Sequence, residues 1–308
     1  MRRVFLIPFL LAVPLFAGQQ ELTIERIFSD PPLDGTLPKQ VRWLPDGRRF
    51  SFLETIGEGK GADSSLWVED ADSGARDRLL EERELSSFGG GVQAVTPRLE
   101  HYRWSPRGDA VLLSGGGDLF LVSLPDKHIR RLTATAAQEE LGEFSPDGRW
   151  VSFVRDNDLY VLNLASNSEE RLTVDGSPDH LNGKLDWVYE EELAGRKPIA
   201  YEWSPDSRWI AFLTLDETKV PVYPIEDRLR VHPSTSEQHY PQPGDPNPSA
   251  SLSVLEVHAK GGVPLRQSYA LSGSGAEYLP RFGWTKGGDS VWFVELNRAQ
   301  TQLAEHRG

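Results

Sequence analysis

Beyond residue 20 the chain alternates short apolar-rich runs with clusters of turn-forming residues, and one phrase recurs. An aromatic is followed by a small or polar residue, Pro or Lys, a polar residue, Gly or Ser, and then an apolar run. The phrase reads Trp43-Leu44-Pro45-Asp46-Gly47 before Phe50-Ser51-Phe52-Leu53, and Trp104-Ser105-Pro106-Arg107-Gly108 before Val111-Leu112-Leu113. It returns as Phe144-Ser145-Pro146-Asp147-Gly148 before Trp150-Val151-Ser152-Phe153-Val154, and as Trp203-Ser204-Pro205-Asp206-Ser207 before Trp209-Ile210-Ala211-Phe212-Leu213. A worn copy is Trp284-Thr285-Lys286-Gly287-Gly288 before Val291-Trp292-Phe293-Val294. Pro presets φ for a turn, Asp-Gly closes it, and the flanking residues favour strands, so each copy predicts a hairpin.

A second phrase follows several copies. It runs from Asp118-Leu119-Phe120-Leu121-Val122 to Arg131-Leu132-Thr133, and from Asp158-Leu159-Tyr160-Val161-Leu162 to Arg171-Leu172-Thr173. Weaker echoes are Ser65-Leu66-Trp67-Val68 to Leu79-Leu80, and Ser251-Leu252-Ser253-Val254-Leu255 to Pro264-Leu265. This adds a second hairpin to each repeat. Four-stranded units recurring at roughly 40 residues predict an all-β fold, a β-propeller with about five blades. Where the anchors lie further apart the excess marks insertions, at 81–101, 174–200 and 216–248, and insertions on a regular propeller are where function tends to sit.

Composition narrows the partners. The formal charge is −13 and the pI is near 5.1, which excludes nucleic acid as the expected partner and disfavours an anionic membrane surface. Met1-Arg2-Arg3, an apolar run from Val4 to Phe16 and the small pair Ala17-Gly18 read as a signal peptide over 1–18. The run is too short to span a bilayer. Its removal would leave the mature chain, 19–308, more acidic still and without a membrane segment. Zero cysteines exclude disulfides, a thiolate nucleophile and Cys-ligated metals, and fit an exported protein of a bacterial periplasm or exterior.

Much of the apparent chemistry dissolves on inspection. Gly89-Gly90-Gly91 lacks a following Gly-Lys-Ser/Thr, and Gly115-Gly116-Gly117 is a turn between strands. Ser272-Gly273-Ser274-Gly275 has the wrong spacing for a nucleophile elbow. The seven histidines are scattered without metal-ligand spacing, so neither a metal nor a cofactor is expected. The third insertion, Asp216 to Pro248, holds seven prolines and reads as an extended loop.

The second insertion differs. Asp186-Trp187-Val188-Tyr189-Glu190-Glu191-Glu192 sets three adjacent carboxylates behind two aromatics. Asp186 suits the cap of a short helix, Trp187 and Tyr189 can pack it to the propeller, and the acids then lie near its start, where the helix dipole favours negative charge. Adjacent acids need water or a cationic partner, so the run is either solvated surface or a receptor for an ammonium group. A protonated α-amino group fits the second reading.

These seven residues resemble the Asp-Trp-Val-Tyr-Glu-Glu-Glu motif of the dipeptidyl peptidase IV family, within the prolyl oligopeptidase clan of serine peptidases. Trp203-Ser204-Pro205-Asp206, Leu215-Asp216-Glu217-Thr218-Lys219-Val220-Pro221 and Tyr240-Pro241-Gln242-Pro243-Gly244-Asp245-Pro246-Asn247-Pro248 resemble that family's following segments in the same order. The resemblance runs from roughly residue 40 onward and is most specific from 186 to 248. It implies an eight-bladed propeller joined to an α/β-hydrolase domain that removes dipeptides from free N-termini, preferably after Pro or Ala. It places the two glutamates that clamp the substrate's amino terminus on Glu191 and Glu192. The family's substrate-carbonyl arginine has no clear match, and Arg98 and Arg103 are the nearby candidates. By the same resemblance, the Ser, Asp and His of the hydrolase domain would lie outside these 308 residues, so this chain alone is expected to be inactive. Expected partners are a peptide N-terminus, that hydrolase domain and a second copy in a homodimer. The alternative is a non-enzymatic periplasmic propeller that binds peptides or envelope proteins, since the blade phrases are shared by many propellers.

Overall fold

A computed structural model of the 308-residue chain describes residues 22–29, 33, 37–56, 63–85, 95–195, 197–229, 231–257, 266–271 and 275–308. The expected signal peptide, the glycine run at 89–91 and Ser272 to Ser274 lie outside the described residues. The chain divides into two compact units, Met1–Leu37 and Pro38–Gly308. In the first, a single helical turn, α1 (Ile24–Ile27), is capped by the Thr23 hydroxyl, which accepts from the Arg26 amide at 3.1 Å.

The second unit contains the blades. The first three are antiparallel four-stranded sheets in chain order. They comprise β1 (Lys39–Trp43), β2 (Arg49–Ile56), β3 (Asp63–Asp70) and β4 (Arg76–Glu81); then β5 (Arg98–Trp104), β6 (Ala110–Gly115), β7 (Asp118–Ser123) and β8 (Ile129–Arg131); then β9 (Glu139–Phe144), β10 (Trp150–Arg155), β11 (Asp158–Asn163) and β12 (Glu169–Arg171). In the fourth blade, β13 (His180–Asn182) and β14 (Tyr201–Trp203) both pair with β15 (Trp209–Asp216). A separate hairpin, β16 (Val222–Asp227) with β17 (Ser234–His239), precedes β18 (Ser249–Glu256) and β19 (Arg266–Ala270), which complete the blade. The fifth sheet is β20 (Ala276–Trp284), β21 (Val291–Asn297) and β22 (Leu303–Arg307).

Each recurrent phrase is the first turn of a blade. Its second residue bonds across the hairpin mouth, as in Ser105 N to Ala110 O at 2.9 Å and Ser204 N to Trp209 O at 2.8 Å. Its last residue has positive φ in every copy: Gly47, Gly108, Gly148, Ser207 and Gly288. Glycine adopts this conformation without steric cost, whereas Ser207 carries a penalty on the order of 1 kcal/mol. Its hydroxyl offsets this by accepting from the Asp147 amide of the preceding blade at 3.0 Å. The aromatic anchors also reach back one blade. Trp104 Nε1 donates to Ser51 Oγ at 2.8 Å, Trp203 Nε1 to Ser152 Oγ at 2.8 Å, and Trp284 Nε1 to the Glu202 carbonyl at 3.0 Å.

Side chains alternate faces along a strand, so each sheet contributes to two cores. On β6, Val111 and Leu113 pack with Leu53 and Leu66 of the first blade, while Leu112 packs with Val151 and Phe153 of the third. The third and fourth blades share a core through Val154, Val161, Ile210 and Phe212, and the fourth and fifth through Leu213, Leu252, Leu279 and Phe293. Successive sheets stacked on shared cores are the propeller arrangement.

The second phrase proves to be an electrostatic clamp. Arg131 donates to buried Asp118 at 2.5 Å and to the Thr133 carbonyl at 3.0 Å, while Thr133 Oγ1 accepts from the Leu119 amide at 2.9 Å. Arg171, Asp158, Thr173 and Leu159 repeat the pattern in the next blade. One expectation changes: the first part of the proline-rich insertion is a regular hairpin, β16 with β17, in which Pro224 lies opposite Glu237. Proline is tolerated on a two-stranded edge.

Candidate functional site: an acidic π-helical turn

The acidic run sits on a loop between β13 and β14 whose stem is tied shut. Ala200 N bonds to Gly183 O at 3.0 Å, Leu185 N to Pro198 O at 3.0 Å, and Lys184 bridges Ile199. Beyond the stem the chain forms one π-helical turn, Val188–Leu193, in which the Ala194 amide bonds to the Tyr189 carbonyl at 2.7 Å. Such turns place one extra residue in the coil and recur at functional sites.

Four contacts fix the turn. Asp186 caps it, its carboxyl accepting from the amides of Val188 at 2.9 Å and Tyr189 at 3.1 Å. Burial pushes that carboxyl's pKa up, and these two amides pull it back. Tyr189 is buried in the core between the fourth and fifth blades, and its hydroxyl accepts from the Leu279 amide on β20 at 3.0 Å. Arg281, also on β20, donates to the Leu193 carbonyl at 2.5 Å and so holds the end of the turn. Trp187 packs on Tyr240, ring centroids 4.2 Å apart, and Tyr240 lies just past β17.

With the backbone fixed, the three acids separate. Glu190 is half-buried, whereas Glu191 and Glu192 are exposed. The two glutamates singled out in the sequence are therefore the two exposed acids of the turn. The stem residues Lys197, Pro198 and Ile199 also line a cavity of about 790 Å³, together with Arg42, Arg103 and Glu143. Arg103 is ion-paired to Glu143 there, whereas Arg98 is exposed and pairs with Glu82 at 2.5 Å. Of the two arginine candidates, only Arg103 lines this cavity.

Sequence reading missed what lies beneath the turn. Glu217 is buried, and burial followed by the nearby Asp186 carboxyl pushes its pKa up to about 7. His239 Nε2 lies 2.9 Å from Asp179 Oδ1 and its Nδ1 2.9 Å from the Val220 carbonyl. No local pattern could announce this, because His239 and Asp179 are 60 residues apart. Among the described residues no cluster of His, Asp or Glu is arranged to hold a metal ion, and no helix is long and apolar enough to cross a membrane.

Comparison with known proteins agrees with the motif. The family described as "Dipeptidyl peptidase IV (DPP IV) N-terminal region" matches residues 105–304, about two thirds of the chain. A protein of Grosmannia clavigera named "Probable dipeptidyl-aminopeptidase B" is 29% identical over 315 residues, covering 85% of this chain and 31% of that protein. A protein of Neosartorya fischeri named "Probable dipeptidyl peptidase 4" is 34% identical over 155 residues, covering 48% of this chain and 20% of that one. Among solved structures, Porphyromonas gingivalis dipeptidyl peptidase 4 superposes with a TM-score of 0.70 at 26% identity, over 87% of this chain and 38% of that chain. The chain thus spans well under half the length of the relatives it matches. By fold, by motif and by family match, the chain belongs to the dipeptidyl peptidase IV family, in its N-terminal propeller region.

Proposed function

We propose that this chain is the substrate-recognition part of an exported serine-type dipeptidyl peptidase, and that Glu191 and Glu192 bind the free α-amino group of a peptide. The observation that carries the reading is the fixed acidic turn: Glu191 and Glu192 are adjacent and exposed on a backbone held by Asp186, Tyr189, Arg281 and Trp187. Charge-assisted hydrogen bonds from an ammonium to two such carboxylates are stronger than neutral ones, and an immobile backbone lowers the entropy cost of making them. Counting residues inward from the amino terminus then fixes which peptide bond is presented, and this makes the enzyme an exopeptidase. Hydrolysis itself belongs to a nucleophilic serine and its base, supplied by a hydrolase domain. The relatives named as dipeptidyl peptidases favour this over a purely binding propeller.

The test is kinetic. In a form that carries the hydrolase domain, Glu191→Ala or Glu192→Ala lowers kcat/KM on a dipeptidyl substrate by about a hundredfold or more, each removing one charge-assisted contact. Unchanged kcat/KM in both variants contradicts the assignment.

A further inference from the structure

The base of the acidic turn holds a charge arrangement that the clamp itself does not use. Asp186 and Glu217 are both buried, at 5% exposure each; burial pushes both carboxyls up, and Asp186 further disfavours ionisation of Glu217. No guanidinium pairs with either among the described ion pairs. Lys184 favours ionised Glu217 only as the smallest of the influences on it, and is itself engaged with Glu140 at 2.6 Å.

His239 fills the gap. Its two ring nitrogens face two acceptors at 2.9 Å, the Val220 carbonyl and the Asp179 carboxylate. A neutral imidazole has one N–H and can satisfy only one of them, whereas an imidazolium satisfies both. Burial works against the charged ring, but the Val220 carbonyl, the Asp179 carboxylate and the nearby Glu217 outweigh it, so the His239 pKa lies above its ordinary value. The charges around His239 are therefore Asp179, Glu217 and Asp186, with Lys184 further along the same cluster.

The backbone links this cation to the site. Glu217 N bonds to Asp179 O at 2.8 Å and Val220 N to Glu217 O at 2.8 Å, so both partners of His239 belong to one folded segment. The residue after His239 is Tyr240, which packs on Trp187 at the start of the turn. His239 and Tyr240 together fasten the hairpin base to the acidic turn, one by charge and one by ring contact.

We propose that His239 is a positioning residue for the acidic turn: its ring, protonated so as to donate to both the Val220 carbonyl and the Asp179 carboxylate, fastens the hairpin base whose Tyr240 packs on Trp187, so that loss of its proton loosens Val188–Leu193 and weakens capture of a substrate amine. This rests on the amine-clamp reading of Glu191 and Glu192. The consequence is recognition that depends on pH through the protein as well as through the ligand.

The test is calorimetric titration of the chain with Ala-Pro-amide from pH 6 to pH 8.5, for wild type, His239→Gln, His239→Arg, Glu191→Ala and Glu192→Ala. The amine's own titration is common to all five and cancels in the comparison. His239→Gln, neutral throughout, binds about tenfold more weakly than wild type at pH 6 and converges on it at high pH, where the wild-type ring is also neutral. His239→Arg keeps a cation at every pH and retains affinity at pH 8.5, a rescue that loss of fold would not allow. Binding that needs Glu191 and Glu192 but shows the same pH profile in wild type, His239→Gln and His239→Arg overturns the role of His239 alone. Binding indifferent to Glu191 and Glu192 overturns the clamp reading, and with it any capture for His239 to control. In that event the thermal stability of His239→Gln against pH still shows whether the ring holds the turn.

Discussion

The third blade and the acidic loop of the fourth bury carboxylates in opposite ways. In the third blade, Arg155 donates to Glu139 at 2.6 Å and to both oxygens of Glu169 at 2.6 and 2.8 Å, and Arg171 pairs with buried Asp158. Both fully buried acids, Glu139 and Asp158, meet a permanently charged guanidinium. Beneath the acidic turn, Asp186 and Glu217 share a single histidine, whose charge depends on pH. The first arrangement holds a repeated scaffold together. In the second, burial raises the pKa values of the carboxyls and makes this part of the fold sensitive to pH.

Breaking the guanidinium side of the comparison gives the largest effect. Arg155→Ala leaves Glu139, fully buried in its side chain, without its cation, and destabilises the chain by about 3 to 5 kcal/mol in a denaturant titration. A loss below about 1 kcal/mol would mean that the blade does not depend on its paired charges.

Glu217→Gln sharpens the other side, with the opposite sign. The folded-state pKa of Glu217, about 7, lies above its ordinary 4.5, so the native protein keeps a proton that the unfolded chain releases between those values. Stability from this group is fully present below about pH 4.5 and falls as the pH rises to about 7. An amide never ionises, so Glu217→Gln is more stable than wild type by about 2 to 3 kcal/mol at pH 8 and nearly neutral at pH 4.5. His239 adds to the same trend: its raised pKa contributes stability below its unfolded value and loses it as pH climbs through the folded one. Melting curves across this range check both.

Tyr189→Phe removes the hydroxyl that accepts from the Leu279 amide and leaves a buried donor unpaired, at a cost of about 1 to 2 kcal/mol in chemical denaturation. Arg171→Met is smaller, about 1 kcal/mol, because Asp158 keeps its bonds from Thr173 Oγ1 at 2.6 Å, Gly176 N at 3.0 Å and Asn182 Nδ2 at 3.3 Å. If it matched Arg155→Ala, those hydrogen bonds would not be sharing the charge.

The same contrast governs what could be read from the chain. Blade turns are local: Trp-Ser-Pro-Asp-Gly encodes its own hairpin, and the five copies place the five sheets. The acidic motif is likewise contiguous, so Asp186 as a cap and Glu191 and Glu192 as neighbours were legible. The Asp118, Arg131 and Thr133 phrase was visible as a repeat, but its chemistry appears only when the strands pair and bring Arg131 onto Asp118. His239 was invisible for a stronger reason. It stands among seven histidines with no spacing signal, and its meaning comes from Asp179 and Glu217, which the fold brings to it from other segments. The proline-rich insertion misled because composition suggested an extended loop, whereas Val222 to His239 pairs as a hairpin.

The most direct measurement is a calorimetric comparison of Ala-Pro-amide with its N-acetylated form on this chain at pH 6. The two ligands differ at the amino terminus alone. The free amine binds, acetylation abolishes binding, and Glu191→Ala and Glu192→Ala each do to the free amine what acetylation does. Equal binding of the two ligands, or full binding by both glutamate variants, would contradict the clamp reading.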